Sequence, residues 1–147
     1  MAPDAYIQMA LQLAWYKNQN YFTATYETAS TRIFENGRTE TLRSFTNQSK
    51  AFVLNMLNPE IPPSLKYKSF VDATSVHNSN MRNASVGRGF DRHLLGLKLL
   101  LRDGESHEFF THELFNLSSE WKLSTSGLSA GPRFKGTGWV KDIAENG

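Results

Sequence analysis

Residues 25 to 44 constrain the fold more than any other stretch. Between Tyr26 and Ser44 the chain carries seven side-chain hydroxyls, three arginines and three glutamates, with Ile33, Phe34 and Leu42 as the only large aliphatic or aromatic relief besides Tyr26 itself. A segment this polar needs partners for its groups, either as a hydrogen-bonded network closed within the fold or as a surface that binds something polar. Composition alone favours the closed network. Upstream, Tyr21 to Tyr26 mixes aromatic residues with threonine, a β-forming composition that puts Tyr26 at or near the end of a strand. Asn36-Gly37 is a turn signal, so Arg38 to Ser44 is expected to fold back and bring Thr39 into one pocket with Tyr26.

Helical patterns surround this strand pair. Pro3 and Asp4 suit a first helical turn, and Ile7, Ala10, Leu11, Ala14 and Trp15 recur at helical spacing, which predicts an amphipathic helix to about Lys17. Thr46 is placed to cap a second helix, with Phe52, Val53, Met56 and Leu57 as its apolar positions and Asn58-Pro59 as its stop. After Ile61-Pro62-Pro63, the positions Leu65, Phe70, Ala73 and Val76 predict a long, largely exposed helix to about Ala84 that covers a sheet. Phe90 to Leu99 reads as an apolar helix with a buried flank, beside which Arg92 requires an anion. Phe109-Phe110 and Leu114-Phe115 suggest short helical cover, and Trp121 to Ser126 a strand. Gly127, Gly131, Gly136 and Gly138 then favour loop or edge. Helices alternating with isolated strands make the class α/β.

The totals exclude several functions. A net charge of +2, with basic residues scattered among acidic ones, offers no nucleic-acid footprint. Without cysteine there is no disulfide framework, thiolate nucleophile or thiolate metal site. The longest apolar run, Leu94 to Leu101, is interrupted by Gly96 and Lys98 and is too short to span a bilayer. Gly87-Arg88-Gly89 lacks the further glycines, or the Gly-Lys-Ser/Thr ending, that phosphate-cradling loops need.

Tyr26-Glu27-Thr28-Ala29-Ser30-Thr31-Arg32, followed by Gly37-Arg38-Thr39-Glu40-Thr41-Leu42-Arg43-Ser44, closely resembles a signature of the carnitine/choline acyltransferase family. Three further matches occur in the family's order. They are the helix Pro3 to Tyr16, the segment Gly87 to Leu99 with Asp91-Arg92-His93-Leu94-Leu95-Gly96-Leu97, and Leu123-Ser124-Thr125-Ser126. His77-Asn78, Gly87 to His93 and Tyr26 to Ala29 are most similar to the peroxisomal carnitine octanoyltransferase branch.

The resemblance implies transfer of an acyl group between coenzyme A and the hydroxyl of carnitine or choline. Acyl-CoA would be a cosubstrate, and no metal or permanently bound cofactor is implied. The implied fold is a chloramphenicol-acetyltransferase-like, CoA-dependent acyltransferase domain, with a mixed sheet covered by helices. Family members are several times longer, so residues 1–147 are expected to form a single partial domain from the C-terminal half of such an enzyme, completed by the remainder of the full-length protein. Peroxisome or mitochondrion follows by resemblance; the chain itself carries no address.

Matched position by position, Tyr26, Thr39 and Arg92 fall on the family's carnitine-carboxylate site. The chemistry is suited to the role, because a planar guanidinium can grip a carboxylate bidentately while hydroxyls complete its coordination. For Arg92 alone, the competing assignment is an internal salt bridge with Asp91 or Glu40. Retention of Thr39 and Arg92 points to carnitine rather than choline, since choline has no carboxylate and would leave a buried arginine unpaired. Ser126 matches the serine that stabilises the oxyanion of the tetrahedral intermediate, a donor that acts on charge developing near the transition state. Ser124 is a supporting hydroxyl. Thr28 stands where family members often have a serine touching coenzyme A. Gly127 departs from the glutamine that some short-chain members use for a coenzyme contact. Gly136 aligns with a pore-blocking methionine of short-chain enzymes, and its missing volume would admit medium or long acyl chains.

The family's base is a histidine followed closely by Asp-Gly, a suitable base because its pKa lies near the operating pH. His77, His93, His107 and His112 are the chain's four histidines, and none has that context. His93 belongs to the helix motif and is read as structural. His107 and His112, near Glu108 and Glu113, lack metal-ligand spacing. The isolated chain is therefore expected to be inactive, supplying carnitine and oxyanion contacts to the intact enzyme. The alternative is a non-catalytic module that binds carnitine or another small carboxylate.

Overall fold

The computed structural model describes residues 2–126 and the backbone of residues 139–141. Helix α1 (Pro3–Gln19) starts on Pro3, carries Asp4 in its first turn and Lys17 in its last, and stops at Asn20 in the left-handed region, φ 59°. Its buried stripe is Ala5, Gln8, Met9, Gln12 and Trp15, so Trp15 is kept from the expected face while Ile7 and Leu11 are only half-buried and Ala14 is exposed. The stripe is rotated because the sheet offers hydroxyls to the glutamines. Gln12 Nε2 donates to Thr25 Oγ1 at 3.0 Å, and Thr125 Oγ1 donates to Gln8 Oε1 at 3.0 Å. A buried amide group with a partner costs little and one without costs several times more; Gln8 keeps that cost at Nε2, which has no hydrogen-bond partner among the described residues.

Strands β1 (Thr25–Ser30) and β2 (Thr39–Arg43) form the antiparallel hairpin expected around Asn36-Gly37, with Ser30 opposite Thr39 and Tyr26 opposite Arg43. The expected strand end at Tyr26 is corrected: residues 21 to 24 lie outside the sheet, and Tyr26 is the second residue of its strand. In the turn, Asn36 has φ 58°, and a Cβ on Gly37 would stand 2.1 Å from the Thr31 carbonyl oxygen, so the turn requires glycine.

Helix α2 (Asn47–Leu57) is capped by Thr46, whose hydroxyl accepts from Ser49 N at 3.1 Å while Ser49 Oγ accepts from Thr46 N at 2.8 Å. Helix α3 (Pro63–Ser85) buries Ala73, Thr74, His77 and Ala84. Met9 of α1, Phe52 and Val53 of α2 and Ala73 of α3 make one apolar core, while Ala84 meets Ala29 and Leu42 of the hairpin in a second. The long helix thus covers the sheet as expected.

Helix α4 (Asp91–Leu99) lies along the β2 edge and has no buried residue; Leu99 is 74% exposed. The expected buried flank is corrected: no second layer faces these leucines among the described residues. Helices α5 (Glu108–Thr111) and α6 (Glu113–Ser118) lead into strand β3 (Leu123–Thr125), with Trp121 outside the strand, and β4 (Trp139–Lys141) pairs beyond it. The sheet order is β2-β1-β3-β4, with β1 and β3 parallel and the other neighbours antiparallel. This is the expected mixed sheet in an α/β arrangement.

Candidate functional site

Side chains alternate between faces along a strand, and residues directly opposite each other share a face. The sheet is therefore sorted into two. Thr25, Glu27, Ala29, Leu42, Leu123 and Thr125 face the helices and are buried. The other face collects Tyr26, Thr28, Ser30, Thr39, Thr41, Arg43 and Ser124, largely half-buried. The crowded polar stretch thus divides into a buried network on one side, with Glu27 Oε1 and His77 Nδ1 left without hydrogen-bond partners among the described residues, and an open hydroxyl-rich surface on the other.

Tyr26, Thr39, Thr28 and Ser124 all belong to the open face, and Tyr26 is directly paired with Ser124 across β1 and β3. Arg92, in the first turn of α4, is brought to the same place. Its Nη2 donates to Tyr26 Oη at 3.4 Å and its Nε to the Thr39 carbonyl oxygen at 3.4 Å. Arg92 is exposed, and it forms no ion pair with any carboxylate among the described residues. Ser126, one residue beyond β3, is also exposed. Gly127 and Gly136 lie outside the described residues.

The two carboxylates that could have paired with Arg92 are otherwise engaged. Asp91 forms a bidentate pair with Arg43, Nε to Oδ2 at 3.0 Å and Nη2 to Oδ1 at 2.7 Å. Glu40 Oε1 accepts from the backbone N–H groups of Thr41 at 2.6 Å and Arg92 at 3.2 Å. A carboxylate at that point satisfies an open donor at the helix start and meets the positive end of its dipole.

A pocket of about 320 Å³ opens here, lined in part by Tyr26, Thr41, Arg92, Leu95, Phe115 and Trp121. Thr39 is not among its lining residues. The expectation of Tyr26 and Thr39 in one pocket is corrected accordingly: Thr41, two residues on and on the same face, lines the pocket, while Thr39 contributes its carbonyl to Arg92. The Tyr26 ring meets Trp121 edge to face at 5.7 Å, which limits its rotation.

On the opposite face, Glu27 Oε2 accepts from Ser44 Oγ at 2.5 Å and lies 2.7 Å from His77 Nε2, with both ionisable side chains buried. Burial pushes the Glu27 carboxyl above its ordinary range, opposed by the bonds to His77 and Ser44. Glu27 and His77 lie far apart in sequence, so no periodicity announces their contact. Asp4, Glu27 and His77 place ligand-type atoms within 4.8 Å of one another, but Glu27 Oε2 already holds both the serine and the imidazole. His107 Nδ1 and His112 Nδ1 accept from Phe109 N and Leu114 N at 3.2 and 3.1 Å, and so cap α5 and α6. His93 is exposed, and no histidine lines the pocket. The residues missed in the sequence are Arg43, Thr41 and Trp121. Arg43 stood within the quoted motif, but nothing there indicates its partner.

Known proteins give this geometry a context. The choline/carnitine O-acyltransferase family profile matches residues 1–147. The mitochondrial carnitine O-acetyltransferase of Saccharomyces cerevisiae is 41% identical over 149 aligned residues, covering 100% of this chain and 22% of the yeast protein. Human peroxisomal carnitine O-octanoyltransferase is 41% identical over 129 residues, 84% of this chain and 21% of the human protein. The liver isoform of human carnitine O-palmitoyltransferase 1 is 42% identical over 125 residues, 85% of this chain and 16% of that protein. The chain thus spans about a fifth of the length of these relatives. Because the family match runs from its first residue to its last, this chain belongs to the choline/carnitine O-acyltransferase family.

Proposed function

We propose that this chain supplies the carnitine-recognising part of a carnitine O-acyltransferase, within a CoA-dependent acyltransferase domain. The reaction exchanges an acyl group between the sulfur of coenzyme A and the hydroxyl oxygen of carnitine. In the forward direction the carnitine oxygen attacks the thioester carbonyl, a tetrahedral oxyanion forms, and the carbon–sulfur bond breaks as the thiolate takes up the proton. The reading is supported above all by Arg92, whose guanidinium lies beside Tyr26 Oη with no carboxylate paired to it among the described residues.

Arg92 then takes the carnitine carboxylate with Tyr26 Oη as a further donor, while Thr39, outside the pocket lining, holds the guanidinium through its carbonyl oxygen. Ser126, assisted by Ser124, donates to the oxyanion, where a fixed donor stabilises the transition state more than the substrate. Thr28 contacts coenzyme A, and Gly136 leaves room for a medium or long acyl chain. A histidine outside these residues acts as the base, since the four in the chain lie in other settings. The relatives' names include both mitochondrial and peroxisomal enzymes, and either compartment suits this activity.

Carnitine-dependent release of coenzyme A tests the division of labour. The intact enzyme should release it from acyl-CoA with carnitine and not with choline, while the purified 147-residue chain should stay at background. Turnover by the isolated chain well above background would refute the proposal.

A further inference from the structure

Arg43 ties the sheet to α4, to the end of α6 and to Trp121 beside the pocket. It projects from β2 on the open face, opposite Tyr26. Its fork closes on Asp91, Nη1 donates to the Ser118 carbonyl oxygen at 2.6 Å, and its guanidinium carbon stands 4.6 Å from the centre of the Trp121 ring. The pair is shielded, with side-chain exposures of 25% for Arg43 and 15% for Asp91. Asp91 immediately precedes Arg92 in the first turn of α4.

Left alone, Asp91 would be a partly buried carboxylate next to the arginine that must receive a carboxylate ligand. It would attract the Arg92 guanidinium and repel an incoming anion, and both effects strengthen as water is excluded. A bidentate arginine suppresses both by holding the two Asp91 oxygens in a fixed direction.

We propose that Arg43 is a positioning and specificity residue of the carboxylate site: by sequestering Asp91 it keeps Arg92 available to the carboxylate of the substrate. The inference rests on the carnitine reading above. It also explains why a binding arginine can tolerate an aspartate next to it in the chain, and it gives Arg43 a role in ligand charge discrimination without any contact to the ligand.

The test is steady-state kinetics of the full-length enzyme, varying carnitine and acyl-CoA separately. Methionine at position 43 keeps an apolar stem over Trp121 and removes the charge. Arg43→Met is expected to raise the carnitine KM about tenfold while the acyl-CoA KM stays within about twofold, as for an uncompensated like charge near a binding site. Adding Asp91→Asn to Arg43→Met should recover most of that loss, because the competing charge is gone. A purely structural role also predicts relief by Asp91→Asn, but of a lower Tm and of losses shared by carnitine and acyl-CoA, so a carnitine-selective KM change with acyl-CoA KM unmoved is the readout that separates the two. An unselective effect, or a selective one that Asp91→Asn leaves unrepaired, would overturn the proposal. If Arg43→Met alone fails to fold, the double variant decides: a carnitine KM within about threefold of wild type supports the proposal, and a loss of about tenfold overturns it. Arg92→Ala in the same series separates the two levels. Equal loss for carnitine and acyl-CoA in Arg92→Ala refutes the carboxylate reading itself; a carnitine-selective loss there, without the Arg43 behaviour, refutes only this inference.

Discussion

Tyr26 and Ser124 lie side by side on the open face of the sheet, paired across the parallel strands β1 and β3. The tyrosine reaches towards Arg92, and the serine leads by one more strand repeat to Ser126. In the proposed reaction this pairing places the carboxylate end and the acyl-transfer end of one small substrate on adjacent strands.

Ser126→Ala in the intact enzyme should lower kcat about a hundredfold with little change in either KM, the expected cost of losing one oxyanion donor. Ser124→Ala should cost less. A Ser126→Ala enzyme that loses affinity for carnitine but keeps its kcat would assign the hydroxyl to ground-state binding instead.

Tyr26→Phe keeps the ring that packs on Trp121 and removes only the hydroxyl beside Arg92. It should raise the carnitine KM about tenfold, since a hydrogen bond to a charged group contributes roughly 1.5–3 kcal/mol. Unchanged carnitine kinetics would leave Tyr26 a structural partner of Arg92.

Glu27 gives a pH dependence of stability. Burial raises its folded-state carboxyl above the ordinary value of 4.5, so the folded chain holds that proton more tightly than the unfolded one. The corresponding stabilisation is fully present below pH 4.5 and is lost as pH rises through the folded value. Glu27→Gln has no such ionisation. Urea unfolding of both chains across this range should show the glutamine form gaining on wild type as pH increases, whereas parallel curves would contradict the assignment.

Much of the scaffold was legible because its signals are local. Pro3 with Asp4, the Thr46 cap and the Asn36-Gly37 turn each act within a few residues, and each stands where the sequence places it. The burial of Gln8 and Gln12 was not legible, since a polarity pattern scores glutamine as surface and the satisfying hydroxyls come from Thr125 and Thr25. For α4 the error ran the other way: leucines that read as core are exposed at the sheet edge. The site residues could be nominated from the family motif, but their common face depends on the β1–β2 register and the β1–β3 pairing. The engagement of Asp91 by Arg43 is a long-range contact with no trace in local sequence.

Gly136, outside the described residues, is proposed to set acyl length. Gly136→Met should suppress turnover of medium and long acyl-CoA while sparing acetyl-CoA, read from a chain-length series on the intact enzyme. A wild-type enzyme that clearly prefers acetyl-CoA would overturn this assignment.

Direct titration of the intact enzyme with carnitine, wild type against Arg92→Ala, bears most directly on the carboxylate clamp. Removal of the guanidinium should weaken carnitine about a hundredfold, because a charge-assisted bidentate contact is lost, and leave acyl-CoA affinity within about twofold. Equal weakening of both ligands, or carnitine affinity that survives the substitution, would contradict it.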